Sequence, residues 1–353
     1  MKIMIIHVGN FTNKDDVRSD INYFHDPTLL HGLQFFDEQQ VINNVQTRKS
    51  IEKFGHEVVY FFHTDRNSIY GLIKSGFKIR NLYSKNKPDL THIYWGGISG
   101  LILVLFLPGK KIVSLLGSDL FGSYSELKYR IKTKASFVQI ISSKILSLIC
   151  DATIVMSNSM KNYLWNSNSK KINIIPEGIS TNKFHPIKKL RSRSILKWNT
   201  ENFVLIFFFQ GQAVKNSKLA LSVVKELRKE IKNLDFKIIS GYKHEDLKYV
   251  YNAADCMIIT SFHEGSNNSI KEAMCCNLPI VSVPCGDAEE RLQYVKNSYV
   301  TDYNVKLMSD KILKVFKSKT RSNGADYINQ FTLDYCANKV SKLYNKVCYD
   351  RNN

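Results

Sequence analysis

Strand-like and helical runs alternate along most of this chain, and the alternation occurs twice. In the first series, Lys2 to His7, Glu57 to Phe62, Leu90 to Tyr94, Lys111 to Leu116 and Ala152 to Met156 read as strands. Helical patterns fall between them, around Glu38 to Phe54, at Gly100 to Phe106 and from Lys128 to Ile149. The second series begins with a strand at Phe203 to Phe209 and a helix from Ser217 to Ile231. It continues through a strand at Phe236 to Ser240, a helix at His244 to Asn252, a strand at Cys256 to Thr260, a helix carrying Glu272 and a strand at Pro279 to Val283. Short apolar strands separated by helices predict parallel sheets covered on both faces, so the expected class is α/β with two doubly wound halves. Between the series, 181–194 holds a Pro and a run of Lys and Arg and reads as a hinge-containing linker. After Ser309 the pattern is helical as far as Val347.

A chain of 353 residues is long enough for two domains with separate cores, and its 44% apolar and 23% charged residues are those of a globular protein. The opening Met1 to His7 reads as a first strand, too short for the apolar region of a secretory signal. Ile98 to Leu107 is the most apolar stretch, about half the roughly 20 residues a membrane-spanning helix needs, so the expectation is a chain that does not cross a bilayer. Seven cysteines, odd in number and without a Cys-x2-Cys pair, argue against a disulfide framework and a zinc site, and fit a reducing cytoplasm.

The net charge of +19 is unevenly placed: twelve Lys and Arg against three acidic residues lie between Lys74 and Lys144. That asymmetry suggests an anionic partner surface. No helix-turn-helix, zinc-finger or RNA-binding signature accompanies it, which argues against nucleic acid. Within the region, the segment from Lys128 to Ile149 joins a basic start to apolar residues at Phe137, Ile140, Ile141, Ile145, Leu146 and Leu148. Helical spacing of this kind can bury the segment in a core or lay its basic end on anionic lipid.

The run from Ser261 to Ser282 says most about chemistry. Glu264 sits on the turn between a strand and a helix, is followed by Gly265 and the small polar Ser266, Asn267 and Asn268, and is echoed by Glu272 eight residues on. Backbone N–H groups at a helix start can hold a phosphate, while acceptor-only carboxylates can hold sugar hydroxyls. The bland alternative is a loop glutamate and a solvated helix face.

The surrounding residues favour the first reading. Glu264-Gly265, the second glutamate in Glu272-Ala273-Met274, and the following Asn277-Leu278-Pro279-Ile280-Val281 strand resemble the pattern of the retaining glycosyltransferases of family 4 (group 1), which have the GT-B architecture. Ile175 to Pro186 is similar to that family's interdomain Pro-x-Gly-Val-Asp-x-x-x-Phe-x-Pro, and Val214-Lys215-Asn216 to its phosphate-binding lysine. The resemblance implies two Rossmann-like domains facing a central cleft. It places an acceptor-side domain at 1–185, a nucleotide-sugar-binding domain at 186–325, and a C-terminal helix at 326–353 returning to the first domain.

By the same resemblance, Lys215 would neutralise the donor diphosphate and stabilise it as a leaving group. Glu264 would accept hydrogen bonds from the donor sugar near its reacting carbon, and Glu272 from the ribose. Gly265 would let sugar and phosphate approach the backbone, with Ser266, Asn267 and Asn268 supplying donors. Where the family has an arginine, this chain offers Gln210 and Gln212, which donate hydrogen bonds without charge. Tyr242 is a candidate for the base pocket. In the N-terminal half, Gly117-Ser118-Asp119 resembles the family's His-Gly-Ser-Asp, but Leu116 stands where many members carry histidine, so no catalytic histidine is assigned there. Asp119 would either contact the acceptor or cap the following helix. His7, Gly9 and Asn10 follow the first strand, with one glycine where the family has a pair. His92 is either a cleft residue or a packed core histidine.

The resemblance implies a hexosyltransferase acting with retention, taking a UDP- or GDP-sugar as donor and a lipid-linked glycan as acceptor, without a metal or other cofactor because lysine and helix dipoles take the metal's place. Assembly of O-antigen, capsule or exopolysaccharide at the inner face of the cell membrane is the expected setting. The alternatives are a GT-B nucleotide-sugar epimerase and a non-catalytic carbohydrate- or nucleic-acid-binding protein.

Overall fold

The computed structural model describes residues 1–8, 50–63, 69–122 and 134–349. These form two compact units: 179–332 make unit two, and the other described residues make unit one. The chain thus passes between units after Gly178 and again after Thr332.

Unit one is built on a six-stranded parallel sheet of order β2-β1-β3-β4-β5-β6. Its strands are β1 (Lys2–Val8), β2 (Glu57–His63), β3 (Leu90–Tyr94), β4 (Lys110–Leu115), β5 (Ala152–Val155) and β6 (Ile172–Ile174). The described helices between them are α1 (Ile69–Asn86), α2 (Gly97–Leu105), α3 (Ser118–Phe121), α4 (Lys134–Ile149) and α5 (Asn158–Tyr163). Ile3, Met4, Ile5 and Ile6 are buried in succession, the continuous apolar run of a strand covered on both faces. The strand order reverses between β1 and β3.

Unit two continues with α6 (Lys189–Leu196), β7 (Phe203–Phe208), α7 (Ser217–Leu227), β8 (Leu234–Ile239), α8 (Leu247–Ala253) and β9 (Cys256–Ile259). Then follow α9 (Asn268–Cys275), β10 (Ile280–Ser282), α10 (Ala288–Leu292), β11 (Tyr299–Val300) and α11 (Val305–Ser318). Its five-stranded parallel sheet has the order β11-β10-β9-β7-β8, which reverses between β7 and β9. The last helix, α12 (Leu333–Tyr349), buries Cys336, Ala337, Val340, Leu343 and Tyr344 in the core of unit one. Polar contacts fix it there: the Tyr344 hydroxyl lies 2.6 Å from His92 Nδ1, and Ser341 Oγ 2.7 Å from His56 Nε2.

Three departures from the sequence pattern have physical causes. The stretch 181–194 is no free linker: α6 begins within it, and Arg193 is fully buried, donating to the carbonyls of Ala253, Asn199 and Thr200 and to Asp255. The helical run after Ser309 is broken after Ser318. Lys319 turns left-handed (φ 52), and Gly324 lies so close to α9 that an added Cβ would stand 2.6 Å from Met274 Cα. Helix α1 escapes the pattern because its buried face mixes Leu72 and Ile79 with Ser75 and Gly76, whereas Tyr70, Ile73 and Phe77 face outward. The helix expected around Glu38 to Phe54 falls largely outside the described residues.

His92 is a core histidine, 0% exposed and bonded through both ring nitrogens, to Tyr344 and Ser114 Oγ (2.8 Å). The His7 ring stacks on Tyr60 and Tyr94. Burial drives the pKa of each down to about 3, assisted at His92 by His7. An unfolded chain binds protons at both below about pH 6.5, while the folded one does not until about pH 3, so stability is full above that window and falls on acidification through it. The expected slope is on the order of 1.4 kcal/mol per pH unit for each histidine. Thermal melts followed by circular dichroism between neutral and mildly acid pH test this; an unchanged Tm contradicts it.

Candidate functional site

In an open parallel sheet the place where strand order reverses leaves a crevice beyond the carboxyl ends of the two strands, because their following loops diverge. In unit two those strands are β7 and β9, and their loops carry Lys215 and Glu264. After β7 the chain makes a short 3-10 turn, Ala213–Lys215, closed by Lys215 N–H to the Gln212 carbonyl. Asn216 then adopts a left-handed conformation (φ 51) and launches α7. Two bonds lace this loop to the one after β9: Phe262 N–H donates to the Val214 carbonyl (2.9 Å) and Thr260 Oγ1 to the Lys215 carbonyl (2.7 Å).

That lacing sets the central contact of the site. Lys215 Nζ donates to Glu264 Oε1 at 2.8 Å, with the side chains 24% and 17% exposed. Both remain open to a ligand from the solvent side. Gly286, at φ +62, closes the wall behind Glu264: an added Cβ would lie 3.1 Å from both Glu264 Cβ and its carbonyl oxygen. Burial, reinforced by the Glu264 charge, pushes the neighbouring Cys285 thiol up to about 12, so it stays protonated and inert.

Helix α9 begins beside this pair. Asn267 is its N-cap, its side chain accepting from Ser269 N–H at 2.9 Å, and Asn268 opens the helix. Ser266 Oγ donates to Asp287 Oδ2 at 2.7 Å, an oxygen that also accepts from Arg291 Nε, whose guanidinium lies 3.7 Å above the Phe331 ring. Gly265 is buried between them.

Glu272, one face further along α9, is 4% exposed, and each of its oxygens has a partner. Tyr251 donates to Oε2 at 2.7 Å, and His244 Nε2 lies 3.0 Å from Oε1. Lys183 Nζ lies 2.6 Å from His244 Nδ1, and because an ammonium can only donate, that nitrogen accepts and Nε2 carries the proton toward Glu272. Burial and the Glu272 charge together raise the Tyr251 phenol well above its ordinary range, keeping it a donor. His244, Tyr251 and Asp287 carry no local motif, and Lys183 stands at a variable position of the Ile175 to Pro186 segment, so their roles come from tertiary contact alone.

The other expected residues differ in their settings. Gln212 is exposed and uses its side-chain oxygen to accept from Gln210 N–H. Tyr242 follows Gly241 (φ +71) and is 36% exposed. Asp119 belongs to unit one and is 0% exposed. Its carboxylate accepts from the N–H groups of Gly96 (2.9 Å), Leu116 (3.0 Å) and Gly117 (2.7 Å). Burial raises its pKa against the lowering effect of these bonds. It therefore ties the loops after β3 and β4 together and offers no exposed oxygen, neither an open acceptor contact nor a simple cap of α3. Gly9 and Asn10 fall outside the described residues.

A search of curated proteins returns no match. The family model described as Glycosyltransferase Family 4 matches residues 34–183, and the one described as Glycosyl transferases group 1 matches residues 203–318. Among solved structures, sucrose-phosphate synthase from Thermosynechococcus elongatus is similar with a TM-score of 0.74 and 14% identity over 98% of this chain and 99% of that one. Anabaena HepE in complex with UDP-glucose gives a TM-score of 0.64 and 15% identity over 97% and 99%. A putative UDP-N-acetylglucosamine 2-epimerase from Listeria monocytogenes gives 0.61 and 10% over 98% and 96%, so this architecture is shared by transferases and isomerases. With one family model on each half and two parallel-sheet units beneath them, the chain belongs to the family 4, group 1 glycosyltransferases of the GT-B type.

Proposed function

We propose that this glycosyltransferase moves a hexose from a UDP- or GDP-sugar to a lipid-linked glycan with retention of configuration, in O-antigen, capsule or exopolysaccharide assembly at the inner face of the cell membrane. The observation that carries the donor half is the Lys215–Glu264 pair at the switch point, in front of the first turn of α9. A diphosphate entering there takes Lys215 as its counter-ion and the amides of Ser266, Asn267 and Asn268 as donors, which frees Glu264 to accept sugar hydroxyls. Glu272 keeps lone pairs beyond those used by Tyr251 and His244, and these receive the ribose hydroxyls. Gln212 and Tyr242 border the diphosphate and the base.

In the transfer step, the bond from the sugar's C1 to the diphosphate oxygen breaks and its electron pair stays on that oxygen. The acceptor oxygen bonds to C1 from the same face, and its proton passes to the departing phosphate. Lys215 and the helix amides take the leaving-group charge, with no metal or other cofactor. Neighbours bound to UDP and UDP-glucose support a nucleotide-sugar donor.

The test is incubation with a panel of nucleotide sugars, with and without chelator. Slow release of nucleoside diphosphate from one donor is expected, unchanged by EDTA. An epimerised donor without release points to an isomerase, and no turnover of any donor to a binding protein; activity killed by EDTA and restored by magnesium overturns the assignment to Lys215.

A further inference from the structure

Helices α1, α2 and α4 lie side by side on unit one, α1 against α2 and α2 against α4. Much of their outer surface is apolar. Tyr70, Ile73 and Phe77 project from α1, Ile98 and Leu105 from α2, and Phe137, Val138, Ile141, Leu148 and Ile149 from α4; Leu105 is 74% exposed, Phe77 65% and Phe137 56%. On α4 these positions recur at helical spacing and make one continuous stripe.

The same helices turn small polar residues inward. Ser143 and Ser147 of α4 are fully buried, and Ser136 and Ser142 nearly so. Ser143 Oγ accepts from Gly97 N–H and donates to the Asp119 carbonyl, both at 2.7 Å, and Ser147 Oγ reaches the Lys144 carbonyl. The contact is so close that a Cβ on Gly96 would stand 2.4 Å from Ser143 Oγ. A helix that faces water arranges its residues the other way. The expected choice between burial of α4 in a core and contact with lipid thus divides by face: Ile140 and Leu146 are buried while Phe137, Ile141 and Leu148 are outside.

Charge selects the occupant. The three helices contain Lys74, Lys78, Arg80, Lys85, Lys134 and Lys144 and no acidic residue. Trp165 borders α4, with Lys144 Nζ 5.4 Å from its ring centroid, an amphipathic pairing suited to a membrane interface. A second copy of this chain would bring the same cations face to face across a two-fold interface. An anionic bilayer supplies hydrocarbon for the apolar stripe and headgroups for its basic rim. Among the described residues no helix is long and apolar enough to cross a membrane.

We propose that the face formed by α1, α2 and α4 docks this protein on an anionic bilayer by shallow insertion of apolar side chains, with the lysines as rim. This deepens the lipid-linked reading above by naming the surface, and it adds an apolar contribution to attraction by charge. The basic segment at Lys128, Arg130 and Lys132, where attraction by charge is expected from the sequence, lies outside the described residues.

Co-sedimentation of the full chain with vesicles of phosphatidylcholine, with or without phosphatidylglycerol, tests the proposal at low and high salt. Binding to the anionic vesicles is expected, reduced but not abolished by high salt, since insertion is not screened. The double variant Leu105→Glu, Phe137→Glu should bind at least about tenfold more weakly, with unchanged Tm and unchanged donor hydrolysis. Undiminished binding of the variant, complete loss of wild-type binding at high salt, or wild-type dimerisation that the variant abolishes would each overturn the proposal. Absence of donor hydrolysis in the wild type sinks the transferase reading instead and leaves the vesicle result standing.

Discussion

Replacing Glu264 with alanine is expected to lower kcat about a hundredfold while leaving the protein folded. The proposed contacts of Glu264 are to the hydroxyls of the reacting sugar, and removing one preorganised polar contact of this kind costs on the order of 3 kcal/mol in the barrier. The fold is spared because the Lys215–Glu264 pair is partly open to solvent, and such pairs contribute only about 0–1 kcal/mol to stability. The two loops also stay joined through Phe262 N–H and Thr260 Oγ1, neither of which depends on the carboxylate. Lys215→Ala should be at least as severe in kcat, because the leaving diphosphate loses its counter-ion. If the two residues serve one step, the double variant falls little below the worse single one, which additivity of independent sites would not give. Steady-state kinetics with the donor identified by the panel decide this; near-wild-type kcat in a folded Glu264→Ala protein refutes the role.

The largest loss of stability is expected at Arg193. Its guanidinium is fully buried, donates to three backbone carbonyls and lies against Asp255, whose Oδ2 also accepts from Val204 N–H at the start of β7. Arg193→Ala strands these acceptors and leaves Asp255 with Lys189, whose side chain is 43% exposed. Breaking a buried pair from one side costs about 3–5 kcal/mol, a large part of the stability of a single domain. Arg193→Lys should recover little of it, since one ammonium cannot reproduce the fork of donors. Urea denaturation followed by circular dichroism measures the loss. A change below about 1 kcal/mol for the alanine variant would show that α6 is the loose linker that its composition suggests.

Nine of the eleven described parallel strands were legible because each is an apolar run flanked by turn residues, and β1, β3 and β7 fall where that signal places them; β6 and β11, only three and two residues long, escape it. The Glu264 to Glu272 run was legible for a different reason. A strand end, a helix start and the residues between them are contiguous in sequence, so one local segment encodes a whole wall of the site. Helix α1 was hidden because serine and glycine face its neighbours while phenylalanine and tyrosine face out, the reverse of the pattern that periodicity detects.

Arg193 and Asp119 show why charge is a poor guide to position without tertiary structure. Each reads as a surface or active-site group, yet each is buried because distant backbone donors or acceptors converge on it, Ala253 for one and Gly96 for the other. The sequence by itself determined the two parallel sheets and the family, and it singled out the residues proposed for the donor, because all of these depend on local runs and short spacings. Tertiary structure alone decided that Glu272 is held by Tyr251 and His244, that Asp119 and His92 are sealed inside unit one, and that the apolar stripe of α4 faces outward. Those outcomes turn on which groups meet across many residues of chain, where the cost of leaving a buried polar group unsatisfied fixes each partner.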